Sequence, residues 1–233
     1  MSGTGRRGDG ATGGGTATRG RSDAETRGED TPGKPFEFPN IIEPPPVELK
    51  APVDWSVIFG RSAPLLIEIG CGGGRTVIGL SIKHPELNCI GCERAGEYYR
   101  LLRQRATKRA LPNLKVTRTD AAVLLEKFLP DACVREYHIY FPDPWPKKKH
   151  HKRRLLTDAF CAQLRRTLEP AGTLYFATDH KEYFDEVLPR LEKVFSIEPL
   201  AGPWPDAPEG RTNFEVKYIK QGRPIWRLIA KQK

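Results

Sequence analysis

The fold is decided by the stretch Leu65-Leu66-Ile67-Glu68-Ile69-Gly70-Cys71-Gly72-Gly73-Gly74. Its first five residues form a short apolar run, typical of a parallel strand buried on both faces. The glycines after it predict a tight turn whose backbone can approach a ligand closely. Apolar residues then recur at helical spacing from Arg75 to Lys83. The stretch therefore predicts a strand, a ligand-binding turn and a helix in direct succession.

The alternation of strand and helix continues along most of the chain. Further strands are predicted at 88–92, 114–118, 136–141 and 173–177, and helices at 95–110, 121–129, 155–168 and 181–194. Two last strands, antiparallel around Gly222, are predicted at 214–219 and 225–230 from their apolar and polar alternation. These elements predict an α/β fold with a doubly wound, mostly parallel seven-stranded sheet and helices on both faces.

Composition limits the classes of protein to consider. The chain has 233 residues and a formal net charge of +9, which favours an anionic partner such as nucleic acid. No run approaches the roughly 20 apolar residues of a membrane span, so we expect no membrane association. Five cysteines form no disulfide-like framework, which favours a cytoplasmic location. We expect Cys89 and Cys92 to be small buried side chains rather than metal ligands, because no second pair accompanies them.

The amino-terminal part is expected to lie outside the folded domain. Residues 1–46 comprise a glycine-rich, charged arm without periodicity and a proline-rich lead-in, which predicts disorder followed by an extended segment. The folded domain is expected to span 47–233.

An acidic residue stands at or just past the end of each predicted parallel strand. These residues are Glu68, Glu93, Asp120, Asp143 and Asp179. Each alone could be a helix cap or a turn residue. Because the carboxyl ends of parallel strands share one sheet edge, where ligands bind, the set predicts a binding site there.

The glycine turn does not complete the dinucleotide pattern G-x-G-x-x-G, since Arg75 occupies the last glycine position. An acid two residues before the turn, Glu68, suits a cationic ligand instead, and S-adenosyl-L-methionine carries a sulfonium and an amino group. In this interpretation Glu93 accepts hydrogen bonds from ribose hydroxyls, and Asp120 lies near the adenine amino group.

A stiff, strongly basic loop follows the fourth strand. Prolines 142, 144 and 146 exclude helix and sheet ladder around Asp143 and Trp145. Six of the eight residues from Lys147 to Arg154 are Lys or Arg, which predicts contact with a polyanion. A solvated basic surface is the alternative. Trp145 either stacks on a base or packs beneath the loop.

Four motifs resemble those of the bacterial tRNA (guanine-N7-)-methyltransferases. They are Glu68-Ile69-Gly70-x-Gly72-x-Gly74, Phe141-x-Asp143-Pro144-Trp145-x-Lys147 with its trailing His, Lys and Arg residues, Ala177-Thr178-Asp179, and Arg211-Thr212-Asn213-Phe214-Glu215. The resemblance covers about residues 60–230. It implies a class I methyltransferase fold that uses S-adenosyl-L-methionine to methylate N7 of the variable-loop guanosine in tRNA.

The resemblance also implies roles for individual residues. The cofactor side would comprise Glu68, Gly70, Gly72, Glu93, Asp120 and Asp143, with Asp143 also the catalytic residue. The substrate side would comprise Lys147, Asp179, Thr212, Asn213, Phe214 and Glu215. We further expect Lys148, Lys149, Lys152, Arg153 and Arg154 to contact RNA phosphates.

Guanine N7 carries an in-plane lone pair and no proton, so direct displacement needs alignment rather than a general base. We expect Asp143, Asp179 or Glu215 to accept hydrogen bonds from the guanine edge that carries N1–H and the N2 amine. Two alternatives stay open at this point: a methyltransferase for another RNA, a protein or a small molecule, and a non-catalytic RNA-binding module. No metal is expected, and the protein is expected to be a monomer or a homodimer.

Overall fold

The computed structural model describes residues 52–233, so the arm predicted at 1–46 and its boundary at 47 lie outside the described residues. The described chain alternates helices and strands as expected. The elements in chain order are α1 (Trp55–Phe59), β1 (Leu65–Ile69), α2 (Arg75–Lys83), β2 (Asn88–Cys92), α3 (Gly96–Arg109), β3 (Leu114–Thr117), α4 (Ala121–Val123, continued as a π-helical turn over Leu124–Phe128), β4 (Val134–Tyr140), a 3-10 helix (Lys148–Arg153), α5 (Asp158–Thr167), β5 (Leu168–Thr178), α6 (Lys181–Glu192), β6 (Phe195–Leu200), α7 (Asn213–Lys220) and β7 (Trp226–Gln232).

Within residues 52–233 the strands form one seven-stranded sheet in the order β3-β2-β1-β4-β5-β7-β6. The first five are parallel, and β7 pairs antiparallel with both β5 and β6. This arrangement confirms the predicted fold class. Successive strands are added to one side of β1 up to β3 and to its other side from β4 onward, so the turn after β1 lies beside the loop after β4.

The sheet is covered on both faces because successive residues of its inner strands point to opposite sides. Leu66 packs with α2 and α3 on one face, and Ile67 packs with α4, α5 and α6 on the other. All five residues of β1 are buried, which accounts for its continuous apolar run.

The prediction of a strand at 214–219 was wrong, because these residues form α7. The Thr212 hydroxyl caps this helix by accepting a hydrogen bond from the Glu215 amide at 3.0 Å. Phe214 and Tyr218 are four residues apart, a helical spacing that the short alternating run concealed. The seventh strand is instead β6, which the sequence interpretation missed and which pairs along β7.

Candidate active site

The turn after β1 depends on glycine. Gly70, Gly72 and Gly74 have φ angles of 72°, 51° and 79°, a region that other residues enter at a cost. A Cβ placed on Gly74 would collide with the Leu102 side chain, whereas the space beside Gly70 and Gly72 is open. The turn therefore packs tightly on its inner side and leaves room for a ligand on its outer side.

Glu68 lies beneath this turn rather than in the open space. Its side chain is buried, and its Oε2 accepts a hydrogen bond from the Val77 amide at 2.7 Å in the first turn of α2. Burial raises the pKa of the Glu68 carboxyl from 4.5 to about 8. Glu68 thus anchors α2 to β1 from beneath the turn, and its place on the cofactor side stays a prediction.

Glu93 joins the end of β2 to the same turn. Its Oε2 accepts from the Gly72 amide at 2.8 Å and its Oε1 from the Ala95 amide at 2.7 Å. Asp120, at the end of β3, caps α4 by accepting from the Ala122 amide at 2.9 Å. Because β1, β2 and β3 are neighbours, the structure brings three of the four predicted cofactor-side acids, Glu68, Glu93 and Asp120, to one edge of the sheet.

Asp143 and Asp179 follow the next two strands, β4 and β5. Asp143 is exposed on the loop after β4. Asp179 is partly buried and accepts a hydrogen bond from an Arg223 guanidinium nitrogen at 2.6 Å. The loop around Asp143 is bent, since Phe141 and Trp145 have φ angles of 51° and 44°, which non-glycine residues rarely adopt.

Sequence reasoning missed the structural importance of Arg211. Its guanidinium lies 4.3 Å from the ring centre of Trp204 and 4.6 Å from that of Tyr175, and it donates to the Tyr140 hydroxyl at 2.7 Å. Its carbonyl accepts from the Thr76 hydroxyl of α2 at 2.8 Å. Arg211 therefore fixes the segment before α7 against both the sheet and the glycine-turn helix.

The residues of the motif from Thr212 to Glu215 lie in different environments. Asn213 accepts from Arg75 at 3.2 Å, and Phe214 is 55% exposed. Glu215, in contrast, has no exposed surface, and its two carboxylate oxygens accept from the Arg211 amide and from Arg227 Nε, each at 2.7 Å. Glu215 holds the segment together and does not present a free carboxylate to a guanine edge, which corrects that expectation.

The basic loop likewise contains both exposed and buried cations. Lys147, Lys148, Lys149, Lys152 and Arg153 are exposed, and Arg153 stacks on Trp145 at 5.0 Å from the ring centre. Arg154 is buried, donates through Nε to the Pro144 carbonyl at 2.8 Å, and pairs with Glu182 and Glu186 of α6. The expectation that Arg154 contacts RNA phosphates was therefore wrong: Arg154 braces the loop from inside.

Comparison with known proteins decides the family. Residues 62–228 match the family described as "Putative methyltransferase". The chain is 38% identical over 178 residues to the tRNA (guanine-N(7)-)-methyltransferase of Chromohalobacter salexigens, covering 74% of this chain and 72% of that protein. It is 35% identical over 197 residues to the enzyme of the same name from Alkalilimnicola ehrlichii, covering 82% of this chain and 81% of that protein.

This chain belongs to the tRNA (guanine-N(7)-)-methyltransferase family. A structural likeness agrees at the level of fold: a precorrin-6Y C5,15-methyltransferase from Geobacter metallireducens superposes with a TM-score of 0.52 at 16% identity, over 73% of this chain and 81% of that one. Membership confirms the resemblance drawn from the four motifs. It also makes the chain an enzyme, which removes the alternative of a non-catalytic RNA-binding module.

The methyl donor of this methyltransferase is S-adenosyl-L-methionine. The residues present fit that group, because open space adjoins Gly70 and Gly72 and Glu93 at the end of β2 lies against the Gly72 amide. In residues 52–233 no cluster of three His, Cys, Asp or Glu could hold a metal ion. None of the described helices is long and apolar enough to cross a membrane. Cys89 and Cys92 are buried free thiols, as expected.

Proposed function

We propose that this methyltransferase modifies tRNA at guanine N7, and that its target is the variable-loop guanosine. The relatives named for this reaction support the reaction and the substrate. One observation in the structure carries the argument most directly. The glycine turn after β1 adjoins the loop after β4, and that loop carries an exposed carboxylate, Asp143, followed by five exposed cations. A nucleoside-binding edge therefore meets a surface suited to phosphates.

Transfer to N7 requires little proton chemistry from the protein. S-adenosyl-L-methionine, when bound, supplies a methyl group on a positively charged sulfur. The N7 lone pair would form the new carbon–nitrogen bond as the sulfur–carbon bond breaks, so the guanine would gain the positive charge that the sulfur loses. The protein's part is to align the base and to place negative charge beside it. Described residues offer two partly or fully exposed carboxylates for this purpose, Asp143 and Asp179.

Asp143 is the better candidate for the residue closest to the reacting base. It follows β4, the immediate neighbour of β1, whereas Asp179 lies one strand further from the glycine turn. Asp179 is also already engaged by Arg223. We therefore assign Asp143 to the catalytic centre and Asp179 to the outer part of the guanine site. Arg223 must release Asp179 when the substrate binds.

The test is methyl transfer from labelled S-adenosyl-L-methionine to unmodified tRNA, followed by mild reduction and aniline cleavage at N7-methylguanosine. Cleavage at one variable-loop guanosine is the expected result. Incorporation of label without that cleavage would mean that the protein methylates tRNA at an atom other than guanine N7. Asp143→Ala should abolish transfer with unchanged melting temperature. Asp185→Asn is the matched control, since Asp185 lies on α6, is 53% exposed and, within residues 52–233, forms its ion pair with the surface residue Lys181.

A further inference from the structure

Four exposed arginines lie at one end of the sheet edge where the parallel strands terminate. They come from the loop after β2, from α3 and from the position just past β3: Arg94, Arg100, Arg103 and Arg118. We call these four residues the arginine cluster. Because β2 and β3 lie on one side of β1 and β4 lies on the other, the glycine turn separates the arginine cluster from the basic loop after β4.

Arg118 connects the members of the arginine cluster. Its Nε donates to the Arg94 carbonyl at 3.4 Å, and its guanidinium carbon lies 3.1 Å from the point where a Cβ would stand on the glycine that begins α3. Burial raises the pKa of the Tyr99 hydroxyl, and the charges of Arg103 and Arg118 oppose that rise, so both cations lie near this one side chain. Arg100 follows about one helical turn after the start of α3.

The fold does not neutralise the cations of α3 as it does those of α6. On α6, Lys181 and Arg190 each pair with a carboxylate four positions away. On α3, neither Arg100 nor Arg103 has an acid at that spacing, and within residues 52–233 neither forms an ion pair. Arg100 and Arg103 are three positions apart and therefore neighbours on the helix surface, where like charges repel. The folded domain gains no stability from this arrangement.

The methyl donor does not account for these charges either. Arg94 lies 3.5 Å from Asp120, but the two side chains are 76% and 46% exposed, so their pairing contributes little in water. The adenosine part of S-adenosyl-L-methionine carries no negative charge, so a donor on the predicted cofactor side leaves the arginines unneutralised. A polyanion complements them, and the proposed function supplies one in tRNA.

We propose that the arginine cluster binds phosphates of the tRNA substrate, across the glycine turn from the basic loop. This inference rests on the proposed function, because it requires tRNA to reach Asp143. Neighbouring strands are about 4.8 Å apart, so the three spacings from β3 to β4 amount to about 14 Å. Nucleic acids carry charge at shorter intervals, about 3.4 Å per strand in duplex DNA, so one tRNA can contact both surfaces. Phosphate contacts on two sides fix the orientation of the RNA without reading its bases.

The test compares the double variant Arg100→Gln/Arg103→Gln with the wild type. Each lost phosphate contact should reduce the slope of log K against log salt by about 0.7–0.9, so the pair should reduce it by about 1.4–1.8 and weaken tRNA binding about 25- to 60-fold at 0.1 M salt. The KM for tRNA should rise by a similar factor, while kcat at saturating tRNA should not change, since the arginine cluster does not touch the reacting atoms. The melting temperature should also be unchanged, because both side chains are exposed.

Two further variants separate position from charge. Lys127→Gln/Lys231→Gln removes two exposed cations near the opposite edge of the sheet, where Lys231 pairs with Thr173, and should keep the wild-type salt slope. Arg100→Lys/Arg103→Lys keeps both charges and should retain most of the affinity for tRNA.

The inference is overturned if the glutamine pair keeps the wild-type slope and KM. It is also overturned if the control pair loses as much affinity, because net charge rather than position would then matter, or if the lysine pair is as impaired as the glutamine pair, because the arginines would then act through structure. These comparisons apply to wild-type protein that methylates tRNA. If the wild type does not methylate tRNA, the proposed function itself fails, which distinguishes the two failures.

Discussion

Arg153 and Arg154 are adjacent in sequence but should respond oppositely to mutation. The Arg154 side chain is fully buried, stacks 5.1 Å from the Tyr183 ring centre, and bonds Pro144, Glu182 and Glu186. Hydrogen bonds to charged groups contribute about 1.5–3 kcal/mol each, and breaking a buried pair costs about 3–5 kcal/mol. Because Glu182 and Glu186 are 61% and 26% exposed, solvent reduces these values. We expect Arg154→Ala to lower the free energy of unfolding by about 2–4 kcal/mol.

That loss is measured by urea denaturation and by melting, where it should appear as a shift of about 4–16 °C for a chain of this size. Arg153→Ala is the matched control. Arg153 is exposed, so its removal should change stability by less than about 0.5 kcal/mol. It should instead weaken tRNA binding and reduce the slope of log K against log salt by about 0.7–0.9, the contribution of one phosphate contact.

The reverse pattern would refute this reasoning. If Arg154→Ala left stability unchanged and reduced the salt slope, Arg154 would face RNA and the buried ion pairs with α6 would be wrong. Arg154→Lys separates charge from geometry, because lysine keeps the charge but cannot reproduce the guanidinium's simultaneous bonds to a carbonyl and two carboxylates. We expect Arg154→Lys to recover less than half of the lost stability.

Three further outcomes are expected. The pKa of the Glu68 carboxyl is 4.5 in the unfolded chain and about 8 in the folded protein. Because the folded state binds more protons between these pH values, the free energy of unfolding should fall as pH rises through them. Glu68→Gln should flatten that decline when denaturation is measured as a function of pH. Thr76→Val removes the hydroxyl that donates to the Arg211 carbonyl, and should raise the KM for tRNA severalfold while leaving binding of the methyl donor unchanged by calorimetry. Arg223→Ala frees Asp179, and should change tRNA KM without altering cofactor affinity.

The parallel sheet was predictable because its signals are local. β1 is a continuous apolar run closed by glycines, and the acids at the following strand ends stand next to recognisable strands, so their meeting at one edge follows from parallel topology alone. The tail was not predictable in this way. A run of six residues with mixed periodicity fits a strand or a helix, and the Thr212 cap that selects α7 was attributed to substrate binding.

The sequence pattern also could not predict which individual charged side chains are buried. Arg153 and Arg154 belong to one uniform basic run, and only the position of α6, which supplies Glu182 and Glu186, separates the exposed residue from the buried one. The packing of Arg211 was not predictable either, since its partners Tyr140 and Tyr175 lie on β4 and β5, far from it in sequence.

The placement of α7 has a consequence for how the two halves of the site act together. Thr76 and Arg75, in the first turn of α2, bond Arg211 and Asn213 across more than 130 positions of sequence. The first turn of α2 is itself fixed by Glu68 and by the glycine turn. The segment expected to meet the guanosine is therefore attached to the helix that follows the predicted cofactor-binding turn. A displacement of the glycine turn would move Arg211 and Asn213 with it, so alignment of donor and acceptor is maintained by one short set of hydrogen bonds rather than by two independent sites.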